Sequence, residues 1–113
     1  MNTAMVATWT HPFPGREEKA LTYAKEVNEY WTDLATKGRC SPPEIFFSDA
    51  GLAFWIVRGE REQLLLLSET EQARLLMMKG ELLLDSFRVE FYQAGEAALD
   101  YLEKYGKVLA TIG

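Results

Sequence analysis

Hydrophobic and polar positions follow two different periods along the chain, and each period predicts a type of element. Residues Ala4 to Thr10 combine β-branched and aromatic side chains and are followed by two prolines, which predicts a first strand. From Arg16 to Gly38, apolar side chains recur at helical spacing behind two glutamates in the first turn. This second segment predicts an amphipathic helix of about six turns.

The middle of the chain predicts a β-hairpin. Segments 44–48 and 52–58 are apolar runs separated by Asp49-Ala50-Gly51, a typical turn sequence. In the second run, one face holds Ala53, Trp55 and Val57. The other face holds Leu52, Phe54 and Ile56, so both faces are apolar. A strand of this kind needs cover on both sides.

The second half of the chain predicts a helix, a strand and a shorter helix. Residues 60–79 have helical spacing in two pieces, with Ser68 and Glu71 as a capping-box pair and Gly80 as the end. Residues 82–92 alternate between apolar and polar side chains, which predicts a strand, and residues 97–107 predict a C-terminal helix. The order β-α-β-β-α-β is that of a ferredoxin-like α+β sandwich, here a single domain over residues 1–113.

This arrangement predicts an assembly as well as a fold. Two helices cover one face of such a sheet, so a monomer would leave an apolar patch in water on the other face. Exposed patches of this size usually mark an interface. We therefore expect a homodimer in which two chains pack sheet against sheet.

Composition and charge narrow the range of partners. The chain has 113 residues, of which 48% are hydrophobic and 26% charged, as in ordinary globular proteins. Its net charge of −5 disfavours a nucleic-acid partner. The single cysteine, Cys40, cannot form an internal disulfide, and with one histidine it cannot complete a zinc site of the Cys/His type.

The N-terminal residues show no basic leader with an apolar core, and no apolar run approaches the roughly 20 residues of a membrane span. We therefore expect a cytoplasmic protein without a membrane partner. The glycine-rich phosphate loop, the GxSxG elbow, the HExxH motif and the EF-hand loop are all missing from the sequence. No cofactor and no metal ion are predicted.

Three segments resemble a known superfamily: ATWTHPFPGREEKAL, GLAFWIVRGE and LLMMKGELLLDSFRVEFY. Together with the element order over nearly the whole chain, they resemble the dimeric α+β barrel superfamily, and in particular its uncharacterised small bacterial members. That superfamily includes cofactor-free monooxygenases, muconolactone isomerase-like and YCII-like proteins, and haem-processing enzymes. The resemblance implies a ligand cleft between the sheet and the helices. The YCII-like branch is identified by a His-Asp pair near the first strand, and this chain has His11 without an Asp at a matching position.

A few polar residues are candidates for chemistry in that cleft. His11 follows the first strand, and histidine is the side-chain type that exchanges protons most readily near neutral pH. The alternative is a solvated histidine in a proline-flanked turn. Arg58 and Arg88 could each anchor an anionic ligand through a guanidinium fork. Their alternative is cross-strand pairing with Glu44 or Glu90, or extension of the charged group towards water.

The aromatic side chains supply candidate ligand contacts. Tyr23 and Tyr30 are seven residues apart on the first helix and share a face, and Trp9 lies at the end of the first strand. The alternative is a role in the core or the dimer interface, which we favour for Trp31 and Trp55.

Three functions are consistent with these residues. The first is a homodimer whose cleft binds a small, largely apolar ligand without an assignable activity. The second is a cofactor-independent oxygenase or isomerase that acts on an aromatic or cyclic molecule, with His11 and a tyrosine as acid–base groups. The third is a purely structural or partner-binding module.

Overall fold

One four-stranded antiparallel sheet organises residues 1–112, which the computed structural model describes. The elements follow in chain order: β1 (Thr3–Trp9), α1 (Glu17–Thr36), β2 (Glu44–Phe47), β3 (Ala53–Gly59), α2 (Arg61–Ser68), α3 (Glu71–Leu83), β4 (Arg88–Gln93) and α4 (Glu96–Ile112). Gly113, the last residue of the predicted domain, lies outside the described residues. No described helix is both long enough and apolar enough to span a bilayer.

The strands are ordered β2-β3-β1-β4, so the two strands in the centre are β3 and β1. All three pairings are antiparallel, and Ala7 of β1 lies opposite Trp55 of β3 and Val89 of β4. With α1 and α3 as the two connecting helices, this order confirms the predicted ferredoxin-like α+β fold.

Alternation along the strands separates a covered face from an uncovered one. Met5 and Val57 point towards the helices and are 1% and 0% exposed, and Leu64 of α2 packs with them in the same core. On the opposite side, Phe46 and Phe54 stack with ring centroids 4.8 Å apart, and each remains 39% exposed. We call this side the open sheet face. Its side chains are those of Ala4, Val6, Thr8, Glu44, Phe46, Phe54, Ile56, Arg58, Arg88, Glu90 and Tyr92.

Helix α4 extends further than predicted and has no buried residue. Its large apolar side chains are all at least half exposed, and they include Leu99, Leu102, Tyr105, Leu109 and Ile112. The radius of gyration is 16.2 Å, whereas a compact domain of this length has a value of roughly 13 Å. A projecting α4 accounts for the difference.

The predicted helix end at Gly80 is wrong, and so is the predicted start of the last strand at residue 82. Helix α3 continues through Gly80 to Leu83, and β4 begins at Arg88. Gly80 is needed for close packing, because a Cβ atom there would lie 2.5 Å from Cε1 of Phe87 and 2.6 Å from the hydroxyl of Tyr23. The glycine therefore marks a helix contact and not a helix terminus.

The predicted capping box is also displaced. Helix α2 includes Ser68, whose hydroxyl donates to the carbonyl oxygen of Leu65 at 2.8 Å. Thr70 is the residue that caps α3, and its Oγ1 accepts from the backbone N–H of Ala73 at 3.2 Å. The cap lies two residues later than predicted because the preceding helix ends later.

Candidate ligand cavity

A cavity of about 280 Å³ lies between the helix-facing side of the sheet and helices α1 and α3. Its floor consists of buried side chains from both layers. The sheet contributes Met5, Ala7 and Trp55, and the helices contribute Tyr23, Trp31, Ala73 and Leu76. This volume is near the lower end of the range of roughly 300–1,000 Å³ for small-molecule pockets.

One end of the cavity is closed by a short antiparallel contact that extends the sheet. Pro12 and Leu84 form an isolated bridge, and both residues line the cavity. Backbone hydrogen bonds flank the bridge: the N–H of Thr10 donates to the carbonyl of Asp85, and that of Phe13 donates to the carbonyl of Leu83, both at 3.0 Å. The prolines after β1 therefore help to build a wall of the cavity.

The opposite side is open to solvent between β2 and α1. The exposed lining residues on this side are Glu17, Leu21, Ala24, Ile45 and Phe47. Phe47 is 70% exposed, and its ring meets Trp9 edge-on with centroids 6.4 Å apart. These residues form the mouth of the cavity, with Glu17 as its charged group.

Two polar side chains that line the cavity, those of Tyr23 and Glu17, have hydrogen-bond partners. The Tyr23 hydroxyl donates to the carbonyl oxygen of Leu76 at 2.7 Å, and burial raises the pKa of this phenol. The Glu17 carboxylate accepts from the backbone N–H of Gly15 at 2.9 and 3.1 Å, and backbone hydrogen bonds lower its pKa. The buried indole Nε1 of Trp55 has no hydrogen-bond partner among the described residues.

Two of the predicted ligand contacts, Trp9 and Tyr23, line the cavity. Tyr30 is outside the lining: its hydroxyl is 3.1 Å from Oγ1 of Thr70, and its ring packs edge-on against Trp31. The seven-residue spacing did place both tyrosines on the buried side of α1, but they meet different parts of α3.

The remaining predicted site residues lie outside the lining of the cavity. His11 is exposed in the turn after β1, where its carbonyl accepts from the N–H of Asp85 at 2.9 Å. Arg58 and Arg88 lie on the open sheet face, so the sheet separates them from the cavity. Arg58 has the cross-strand partner that was weighed as its alternative, Glu44 at 3.9 Å, whereas Arg88 pairs at 3.5 Å with Glu90 of its own strand.

Sequence reasoning missed several lining residues. Trp31 and Trp55 were assigned to the core, and they are indeed buried, but both also border empty space. Alternation in the hairpin placed Trp55 opposite Phe54 but did not indicate which of the two faces the helices, and an empty space beneath them, would cover. Glu17 was recognised only as an acidic residue of the first helical turn, and Phe47 only as part of a strand.

The described residues offer little for a metal or a reactive thiol. Within residues 1–112, no three His, Cys, Asp or Glu side chains are grouped closely enough to hold a metal ion. Cys40 is free and 7% exposed, and burial raises the pKa of its thiol although the positive charge of Arg39 opposes that effect. Apart from Glu17, the described side chains that line the cavity carry no charge.

Solved structures share this fold at low sequence identity. A conserved protein of unknown function from Bacteroides thetaiotaomicron VPI-5482, described as a possible oxidoreductase, is 14% identical with a TM-score of 0.62 over 82% of this chain and 98% of its own. A protein from Shewanella oneidensis is 15% identical with a TM-score of 0.63 over 82% and 90% of the two chains. No protein-family model and no curated protein matches the chain.

A third similar structure is itself described as having a ferredoxin-like fold. It is a dimeric protein of unknown function and ferredoxin-like fold from Bacteroides fragilis NCTC 9343, 8% identical, with a TM-score of 0.55 over 81% of this chain and 95% of its own. At these identities the likeness concerns the fold. The chain therefore shares the ferredoxin-like fold of small bacterial proteins without an assigned function.

Proposed function

We propose that this protein is a homodimer that binds a small, largely apolar molecule in the cavity between its sheet and helices. The observation that carries the proposal is the cavity itself, about 280 Å³ of space inside a layer that proteins ordinarily fill with side chains. Its walls are apolar and aromatic, and its one charged lining side chain among the described residues, Glu17, is at the mouth.

The lining supports an apolar ligand for energetic reasons. A polar molecule that entered this space would lose hydrogen bonds to water and recover few from the walls. An apolar molecule would gain from removal of its surface from water and from contact with the aromatic rings. Trp9, Tyr23 and Phe47 are the contacts we expect near the mouth and the adjoining wall.

The open sheet face supports the homodimer. Phe46, Phe54 and Ile56 form an apolar patch on β2 and β3, and the ion pairs Arg58–Glu44 and Arg88–Glu90 lie on the same face. A second copy of the chain offers the same surface, and a symmetric dimer would cover both at once. The similar protein from Bacteroides fragilis is described as dimeric. The apolar side chains of helix α4 are exposed in the single chain and are available to pack on the partner.

Binding rather than catalysis is proposed because the candidate acid–base groups are dispersed. His11 is in an exposed turn, the Tyr23 hydroxyl is held by Leu76, and the arginines are on the other side of the sheet. A general acid or base must come within hydrogen-bond reach of the reacting atom. Only Tyr23 of this set lines the cavity.

The ligand site is tested with the neutral fluorescent probe N-phenyl-1-naphthylamine. Ala24 lines the mouth and is exposed, so Ala24→Trp can fill the opening without disturbing the core. Lys25→Trp places the same ring on the next residue, which is exposed and outside the lining. We expect saturable probe binding to wild type and to K25W, and loss of at least tenfold in affinity in A24W. Equal binding to A24W and K25W would contradict the site.

The dimer is tested separately by sedimentation equilibrium. Phe54→Glu places a charge within the apolar patch of the open sheet face, whereas Glu29→Lys reverses a charge on the exposed side of α1, away from that face. We expect wild type and E29K to sediment as two chains and F54E as one. A wild-type monomer would contradict the proposed assembly.

A further inference from the structure

Helix α4 has an apolar side that its own chain leaves uncovered. Large apolar side chains recur along it every three or four residues and share one side of the helix: Leu99, Leu102, Tyr105, Leu109 and Ile112. All of them are at least half exposed, and the helix meets its own domain mainly at β4. An amphipathic helix in a folded protein normally buries such a side against another surface.

The mouth of the cavity is a second apolar surface without cover. Leu21, Ile45 and Phe47 surround the mouth and are 60%, 47% and 70% exposed. At the other edge of the sheet, on the same face, Val89 and Phe91 of β4 are partly buried against the core. The helix-facing side of the sheet therefore lacks cover at its β2 edge, where the cavity opens.

We infer that α4 of one chain packs over the cavity mouth of its partner, so that two chains complete each cavity. This inference rests on the proposed function, since it names the segment that closes the same cavity within the same dimer. Strands β2 and β4 are the opposite edges of the sheet. When two such sheets face each other about a two-fold axis parallel to the strands, each β4 lies against the partner's β2, about 10 Å away. Because α4 follows β4 directly, it begins beside the partner's β2 edge.

The length and attachment of α4 suit this position. Its 17 residues extend about 25 Å, whereas the four residues of β2 span roughly 13 Å. The helix is thus long enough to pass β2 and reach α1 on the other side of the mouth. Gly95, with a φ of 60°, joins β4 to the helix, and within α4 only Ala97 and Ala98 are half-buried. The attachment to its own chain leaves the apolar side free.

The charges of the two surfaces are complementary. The charged side chain at the mouth is the Glu17 carboxylate. From residue 104 to residue 112, α4 contains Lys104 and Lys107 and no acidic residue. A lysine beside the apolar side of a helix can lay its aliphatic stem along the contact and place its ammonium group near a carboxylate.

Two other surfaces compete for α4. The outer side of α3 exposes Leu75, Met78 and Leu82. A two-fold axis across the strands, instead of along them, would place β4 against the partner's β4 and bring the two α4 helices together. Each arrangement brings a different pair of residues within reach of a disulfide, so crosslinking distinguishes them.

Thiol crosslinking of the full chain locates α4. In a Cys40→Ala background, Ala24→Cys places a thiol at the mouth, and Leu102→Cys places one on the apolar side of α4. We expect oxidation of the double variant to give a covalent dimer in which peptide mapping finds residue 24 of one chain joined to residue 102 of the other. Met78→Cys with Leu102→Cys is the comparison pair and should give no 78–102 link.

Probe binding gives a second measurement. Leu109→Glu places a charge on the apolar side of α4, and Thr111→Glu places the same side chain on the opposite side. We expect L109E to lose at least about tenfold in affinity for N-phenyl-1-naphthylamine, because the mouth loses its apolar cover. T111E should bind as wild type does, and both variants should sediment as two chains.

The outcomes separate this inference from the proposed function. A 24–102 link within one chain, a 78–102 or 102–102 link in its place, or no 24–102 link at all would overturn the position of α4. Equal probe affinities of L109E and T111E would overturn it as well. In each of these cases a dimeric wild type that binds the probe would leave the proposed function intact. A wild type that neither dimerises nor binds the probe would overturn both.

Discussion

Replacement of Gly80 by alanine adds one methyl group at the closest contact between α3 and its surroundings. Its Cβ atom would lie 2.5 Å from Cε1 of Phe87 and 2.6 Å from the Tyr23 hydroxyl. Carbon atoms prefer separations of about 3.5–4.0 Å, so at least one neighbour must move by about 1 Å. Both neighbours are held in place, since Tyr23 is hydrogen-bonded to Leu76 and Phe87 packs in the core.

The expected loss of stability follows from two opposing terms. Overpacking of a filled interior costs about 1–3 kcal/mol. Alanine in place of glycine within a helix stabilises the folded chain by roughly 0.5–1 kcal/mol. Because the overlap with Phe87 is severe, we expect the steric term to win and the free energy of unfolding to fall by about 1–2 kcal/mol. For a domain of about this size that corresponds to a decrease in Tm of roughly 4–8 °C.

Urea denaturation at fixed protein concentration measures this change, with Gly106→Ala as the matched control. Gly106 also lies inside a helix, but nothing is within 4 Å of its added Cβ. G106A should therefore be neutral or slightly stabilising. G80A should also cost less in a Tyr23→Phe background, which removes one of the two clashing atoms. A G80A protein as stable as G106A would refute the packing argument.

Three further results are expected from single residues. Thr70→Ala should cost about 1 kcal/mol through loss of the α3 cap, and Ser68→Ala clearly less; urea midpoints decide, and equal losses would contradict the assignment. Burial raises the pKa of Tyr23 in the folded chain, so above about pH 10 the phenol ionises in the unfolded chain before it ionises in the folded one. The free energy of unfolding of wild type should therefore fall more steeply with pH than that of Tyr23→Phe. Parallel plots of this free energy against pH for the two proteins would contradict the prediction. Cys40 should react with a thiol reagent much faster after unfolding, and rapid labelling of the native chain would contradict its burial.

Periodicity was sufficient to predict the fold because the strands and helices are strongly patterned. Trp55 and Phe54 on opposite faces of one strand indicated that both faces of the sheet are apolar, and the element order indicated the sheet topology, but which face the helices cover was left open. The errors concerned element boundaries at which tertiary contacts outweigh the local sequence preferences. Gly80 resembles a helix end in sequence, but its role is set by Phe87, which contacts it only after folding.

The candidate site was less predictable than the fold. Trp9 and Tyr23 were predicted as ligand contacts because aromatic residues at a strand end and on a helix face commonly meet in a cleft, and both line the cavity. Arg58 and Arg88 lie on the open sheet face, away from that cavity, and only the strand register makes this evident. A cavity is a property of how side chains fill space together, which no single position encodes.

Native mass spectrometry of the purified protein tests the central claim most directly, because one spectrum reports both assembly and ligand. The account predicts an ion at twice the chain mass of 12.9 kDa plus a small molecule that is released on collision. The same spectrum of the Ala24→Trp protein should show the dimer without that molecule. A wild-type spectrum of bare single chains would contradict both the sheet-to-sheet dimer and the occupied cavity.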